Sequence, residues 1–316
     1  EVQLRLVDKL WRSHSEWLSL HAPQFDVNLK TLEIAFNRTC QLACSYCNPA
    51  FSSTWVKDIR TNGGYQGIKS DARGHFIDDY QAYKVDEDGF HSFINEFFAD
   101  SLAKGLNVTL PFKKPAAEIQ GSISDEAKQI NAVNTISQIN NKLFLDSTDG
   151  IGFIEDLQEK KINLKNKNVL LIGAGAAIES ILYRIIFEKP YSICIQNRTI
   201  EKAILLKDKY SKFGSIDLNT DSEAPIDVVI NGSSAGLTGN FFEPEDLNFS
   251  KKVFFYDLNY SLDQTPFCEW ASNHSSNVYD GTGMLVNQAA HSFKSWFNIL
   301  PSTSQVINDL KGLKNE

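Results

Sequence analysis

The stretch NVLLIGAGAAIES, residues 168–180, limits the fold more than any other part of the chain. An apolar, β-branched run ends at Gly173, and Gly175 opens a segment of helical pattern. A strand, a tight turn and a helix in this order form the setting of a dinucleotide fingerprint. The first glycine permits the turn, and the second lets a pyrophosphate reach the backbone N–H groups at the helix N-terminus. Ala176 stands where a small residue is often glycine, and Ile178 takes the third glycine position. Three further runs, SICIQN (192–197), IDVVIN (226–231) and VFFYDL (253–258), are each followed by helix or loop. This alternation predicts a parallel, doubly wound sheet from Ile151 onward.

The second of these strands ends in QNRTIEKA. An NAD-binding chain carries a carboxylate at that tip to hold the ribose 2′-hydroxyl. Here Arg198 and Lys202 stand there, one helical turn apart, and two cations suit a 2′-phosphate. The residues therefore point to NADP. The plainer reading is a solvated basic helix start.

The front half has a different texture. LEIAF (32–36) reads as a strand, YQAYKV (80–85) as another, DGFHSFINEFFADSLAKG as an amphipathic helix ending at a glycine, and LNVTLPF (106–112) as a strand. DEAKQI reads as a short helix, with strands near AVNTIS and KLFLD; residues 4–20 read as helix and 61–79 as loop. The formal net charge of -8 over 316 residues excludes a global basic footprint for nucleic acid. No apolar run approaches the length of a membrane span. Five cysteines, an odd number, do not form a disulfide framework, which places the chain in a reducing cytoplasm.

Eight blocks in order carry a family resemblance: GLNVTLPFK, NAVNT, STDGIGF, LIGAGAA, NRT, INGSSAG, DLNYSLDQTPF and GTGMLVNQAAHSF. From about Tyr80 to the C-terminus, roughly three quarters of the chain, the sequence resembles the shikimate dehydrogenases. The resemblance implies an α/β fold: a Rossmann-type doubly wound NADP domain (151–285) and an incomplete α/β substrate domain (80–150, completed by helices from about 286 to 316). It implies reduction of 3-dehydroshikimate to shikimate with NADPH by a monomer or homodimer acting on a small molecule, without nucleic acid or membrane. Lys113 and its partner Asp149 would be catalytic. Thr109, Asn134, Tyr260 and Gln288 would bind substrate. Gly173, Gly175, Ala176, Asn197, Arg198, Thr199, Lys202, Gly281 and Met284 would bind cofactor. The chemistry is coherent, because ketone reduction needs a hydride and a proton, and a Lys–Asp pair can deliver the proton. Without the flanking blocks, a structural ion pair between two loops would be the favoured reading of Lys113 and Asp149.

The chain departs from the family pattern in three places. Ser147 stands where the family has Asn, and Ala176 replaces a usual Gly. The opening block, a strand and a Ser-x-Ser-Pro loop for the substrate carboxylate, is not intact. SHSEWLSLH (13–21) copies part of its spacing, but Trp17 takes the place of the second serine, leaving Ser13 and Ser15 as remote candidates. A missing anchor implies weakened substrate affinity, at about 1.5 to 3 kcal/mol for each hydrogen bond to a charged group.

Residues 1–79 instead look like a truncated front of a twitch-domain radical S-adenosylmethionine enzyme. Cys40, Cys44 and Cys47 follow the run LEIAF with C-x3-C-x2-C spacing. The resemblance implies a [4Fe–4S] cluster ligated by these thiolates, with S-adenosylmethionine. A zinc site short of a ligand and three free thiols remain alternatives, and residues 48–90 are too few for the barrel of such an enzyme. Two alternatives to the dehydrogenase therefore stay open: an iron–sulfur radical protein, and a catalytically dead NADP-binding fusion. One structural expectation follows. LEIAF fills the slot of the missing first strand beside the 106–110 strand, because an open sheet edge is costly.

Overall fold

The computed structural model describes residues 30–34, 80–83, 85–100, 103–218, 224–233, 241, 243–244, 247–261 and 264–313. The helix expected over 4–20, the loop over 61–79 and the cysteines Cys40, Cys44 and Cys47 lie outside the described residues. The chain divides into two compact units, one of residues 1–148 with 290–316 and the other of residues 149–289.

The first unit is built on a six-stranded sheet. Its strands are β1 (Lys30–Ile34), β2 (Tyr80–Tyr83), β3 (Ala103–Val108), β4 (Ser122–Ile123), β5 (Thr135–Ile139) and β6 (Lys142–Asp146), in the order β2-β1-β3-β5-β6-β4. β1 runs parallel to both neighbours, with Leu32, Glu33 and Ile34 opposite Leu106, Asn107 and Val108. The replacement-strand expectation required this pairing, although the strand ends two residues earlier than LEIAF does. β3, β5 and β6 form an antiparallel meander.

Helix α1 (Phe90–Ala99) buries Phe90, Ile94 and Phe98, spaced one turn apart, in a core with Leu106, Val108, Phe112, Ile136 and Leu145. Phe90 stacks on Phe112 at 4.6 Å. Two short helices follow, α2 (Lys113–Ala116) and α3 (Asp125–Ile130). Ser124 caps α3 by accepting from Ala127 N.

The structure corrects the amphipathic helix expected to run on to Gly105. It stops at Asp100, whose backbone is extended, and Ala103, Lys104 and Gly105 belong to β3. Gly105 is therefore no helix cap. Its missing side chain makes room for Trp296, whose indole N–H donates to Ile136 O at 3.0 Å. β3 and β5 are also displaced from their expected bounds, because Thr109–Phe112 form a turn and Ala132–Asn134 a loop.

The second unit opens with α4 (Asp149–Glu159) and carries an all-parallel sheet of β7 (Asn168–Ile172), β8 (Ser192–Gln196), β9 (Ile226–Asn231), β10 (Phe249–Asp257) and β11 (Val278–Tyr279). The strand order is β11-β10-β9-β7-β8. The expected alternation is thus observed, with β10 beginning four residues ahead of its apolar run. The helices are α5 (Ala176–Phe187), α6 (Ile200–Tyr210), α7 (Pro266–Ser272) and α8 (Thr282–Phe297), of which α8 runs on into the first unit; α9 (Ser304–Leu313) closes the described chain. Leu170, Val229, Val253, Phe255, Phe267 and Trp270 fill one side of the sheet.

A Gly105→Val substitution is expected to destabilise the first unit by about 1–3 kcal/mol through overpacking against Trp296 and Ile136. Loss of midpoint in urea unfolding, followed by Trp fluorescence, checks it.

Candidate active site

In the first unit the candidate residues cluster at the ends of β3 and β5. Thr109 follows β3 directly, and its carbonyl accepts from Phe112 N at 2.9 Å to close the turn that delivers Lys113. Lys113 is half-buried at the start of α2, and its carbonyl accepts from Val133 N at 2.8 Å. That bond ties the lysine's backbone to the segment carrying Asn134.

Asn134 is 3% exposed. Its Nδ2 donates to Thr148 Oγ1 at 3.0 Å, while its Oδ1 accepts from Thr148 N at 2.9 Å and from the Thr135 hydroxyl at 2.8 Å. The network continues inward, with Ser292 Oγ 2.7 Å from Thr135 Oγ1 and Asn107 Nδ2 donating to Ser292 Oγ at 2.9 Å. Asn134 thus braces the peptide that precedes Asp149. Sequence reasoning named Asn134 but did not single out Asn107, Thr135, Thr148 and Ser292, although each lies within one of the ordered blocks.

In the second unit Asp149, 7% exposed, is the first residue of α4, where the helix dipole favours a negative charge. Gly173 has a φ of +107°, a conformation reserved in practice for glycine, and it turns the chain from β7 towards α5. A Cβ at Gly175 would meet nothing within 4 Å, so the protein's own packing does not demand glycine there. Ala176 is exposed at the start of α5. Asn197 braces this turn, with its Oδ1 accepting from Ala174 N at 3.1 Å and its Nδ2 donating to Thr199 O at 2.7 Å. Arg198, Thr199 and Lys202 are exposed at the tip of β8 and the start of α6.

At the same carboxyl end of this sheet, Asp257 is fully buried and accepts from Asn231 Nδ2, Asn259 N, Asn259 Nδ2 and Thr265 Oγ1. Burial pushes its carboxyl above the ordinary value, and these four donors oppose that shift. The same Asn231 accepts from Ser233 N and Oγ through its Oδ1. The loops after β9 and β10 are therefore fixed to one carboxylate, a feature that sequence reasoning did not single out.

Tyr260 follows this network half-buried, and Gly281 N donates to Asn259 O at 3.0 Å. Met284 and Gln288 are half-buried on the first turns of α8, with Gln288 Nε2 donating to Leu285 O at 3.0 Å. Among the described residues no cluster of His, Cys, Asp and Glu could hold a metal ion. Cys194 and Cys268 are buried, and burial followed by nearby Asp217 pushes the Cys194 thiol up to about 11.

Thr148→Val is expected to cost about 1–3 kcal/mol by leaving the buried Asn134 amide short of a partner. Urea unfolding of the variant beside the wild type checks it.

Three family descriptions match the chain in order. They are the shikimate dehydrogenase substrate binding domain over residues 49–136, shikimate/quinate 5-dehydrogenase over 156–258, and the shikimate 5′-dehydrogenase C-terminal domain over 281–310. The first begins ahead of Tyr80. The chain is 39% identical over 236 residues to the NADP(+) shikimate dehydrogenase of Colwellia psychrerythraea, covering 74% of this chain and 86% of that one. It is also 39% identical to that of Buchnera aphidicola, over 73% and 85%. The crystal structure of shikimate dehydrogenase from Aquifex aeolicus superposes with a TM-score of 0.67 at 27% identity, covering 91% of this chain and 99% of the other. With these relatives, and with its motif residues on the strand ends and helix starts just described, the chain belongs to the shikimate dehydrogenase family.

Proposed function

We propose that this chain reduces 3-dehydroshikimate to shikimate with NADPH, and runs the reverse reaction when supplied with shikimate and NADP+. The observation that carries the reading is 39% identity to NADP(+) shikimate dehydrogenases over most of their length. The site geometry agrees with it. The backbone around Lys113 is anchored to the Asn134 segment, and Asp149 opens a helix whose preceding residue Asn134 holds. In the proposed reaction Lys113, as an ammonium group, gives its proton to the carbonyl oxygen as that oxygen gains charge. Asp149 is its carboxylate partner in the family resemblance and would orient it. Thr109, Asn134, Tyr260 and Gln288 orient the substrate.

The second unit fits the cofactor. The open space before Gly175, the positive φ of Gly173 and the exposed start of α5 leave room for a pyrophosphate against backbone N–H groups. Arg198 and Lys202, with Thr199 between them, would hold the 2′-phosphate, and no carboxylate ends β8. Ala176 would lie along the pyrophosphate, with Asn197 bracing the turn from behind. Gly281 and Met284 would border the nicotinamide. When bound, NADPH supplies the hydride.

A second reading concerns the front alone. The C-x3-C-x2-C spacing of Cys40, Cys44 and Cys47 favours a [4Fe–4S] cluster with S-adenosylmethionine, and about four irons per chain after anaerobic reconstitution would support it. We place the protein in the cytoplasm, as a monomer or homodimer, on its cysteine usage and its small-molecule substrate. No helix among the described residues is long and apolar enough to cross a membrane.

The deciding assay is NADP+ reduction at saturating shikimate. The wild type is expected to turn over and Lys113→Ala to lose about 100-fold or more in kcat; no reduction by the wild type overturns the reading. Arg198→Ala and Lys202→Ala are each expected to weaken NADP+ about tenfold or more while leaving NAD+ affinity unchanged, as calorimetry would read.

A further inference from the structure

One buried carboxylate in the second unit has no part in the chemistry described above. Asp156 on α4 is 0% exposed. Its Oδ2 accepts from the Tyr256 hydroxyl at 2.5 Å, and its Oδ1 pairs with the Lys160 ammonium. The Lys160 ammonium also stands over the rings of Tyr256 and Tyr279, 5.8 and 5.6 Å from their centroids. Burial, and after it the Asp156 charge, pushes the Tyr256 phenol well above its ordinary value, which keeps it a donor.

The same carboxylate lies against the first turn of α8. A Cβ at Gly283 would overlap it, so glycine at 283 makes room for the Asp156 side chain. One turn back along α4, a Cβ at Gly152 would come within 2.5 Å of Gln288 N and 2.8 Å of Gln288 Cα. As α4 runs back from Asp156 to Gly152, α8 runs forward from Gly283 to Gln288. The two helices are therefore packed backbone to backbone in antiparallel sense. Asp149, Gly152 and Asp156 share one face of α4 by helical spacing.

Apolar side chains would hold two helices together at no greater cost than an ion pair. What apolar contacts do not supply is direction. The Tyr256 hydroxyl and the Lys160 ammonium accept one placement of the carboxylate along the α4 axis, and the Gly283 gap admits it at one height. The three elements that meet at Asp156 carry candidate site residues: α4 carries Asp149, α8 carries Met284 and Gln288, and β10 leads to Tyr260.

Building on the reductase reading above, we propose that Asp156, with Tyr256 and Lys160, is a positioning residue. It fixes the axial register of α4 against α8 and β10, and so sets where Asp149 stands relative to Gln288 and Met284. It touches neither substrate nor cofactor.

The test compares wild type, Tyr256→Phe, Asp156→Asn and a core control, Val253→Ala, by kinetics, NADP+ calorimetry and hydrogen–deuterium exchange. Tyr256→Phe removes only the directional hydroxyl and serves if Asp156→Asn fails to fold. The expected result is a kcat lower by about tenfold or more, with NADP+ Kd within about threefold of wild type, because misplacing a reacting group costs rate more than binding. Val253→Ala is expected to lower the melting point and leave kcat unchanged. Wild-type kcat in Tyr256→Phe, measured below its melting point, overturns the proposal. If the wild type itself does not turn over, the reductase reading fails separately, and exchange decides the register role. Faster exchange at the start of α4 and at 282–288 in Tyr256→Phe supports it, and unchanged exchange there overturns it.

Discussion

The amide of Asn134 holds the peptide at Thr148, the residue just before α4. A side-chain amide offers a donor and an acceptor in one plane, and both are used on Thr148, one residue before the helix. An unmet polar group at a site this dry costs more than the bond returns when made. The loop after α3 and the segment that follows β6 therefore cannot drift apart independently. Behind Asn134, hydroxyls of Thr135 and Ser292 and the amide of Asn107 continue the same network. The interior here is polar by necessity. β3 ends and β5 begins at this level, and the groups there need partners that water does not reach.

The second unit solves a similar problem with a carboxylate. Asp257 gathers donors from three residues and holds two loops at the sheet's carboxyl end, where ligands of parallel α/β sheets bind. Its raised pKa states the cost of burying a charge, and the hydrogen bonds state how that cost is offset.

Much of this was legible in the sequence, and the reasons are physical. IDVVIN reads as a strand because a fully buried parallel strand is apolar on both faces, and its observed bounds match the run. DEAKQI reads as a helix because Ser124 caps it and acidic residues open it. The end of α1 was misread, since Gly105 suits a helix terminus and a crowded strand equally; only the distant Trp296 decides between them. Lys113, Asp149 and the glycine turn stood out through ordered motifs. Thr148, Ser292 and Asp257 stand in the same blocks and Asp156 outside them, but none stood out, because their importance lies in partners remote along the chain.

β1 sits between β2 and β3, joined to each by parallel backbone pairing. Such a slot is filled by N–H and C=O groups that every residue but proline supplies, so it asks little of the side chains that occupy it. The polar network that begins on the neighbouring β3 asks for particular side chains at particular depths. The leading strand is accordingly the position of this sheet that constrains side chains least. The cost of the arrangement falls on folding. β1 meets β3 across all the residues between Ile34 and Ala103, and a long-range pairing of this kind has its loop closed before the contact repays it.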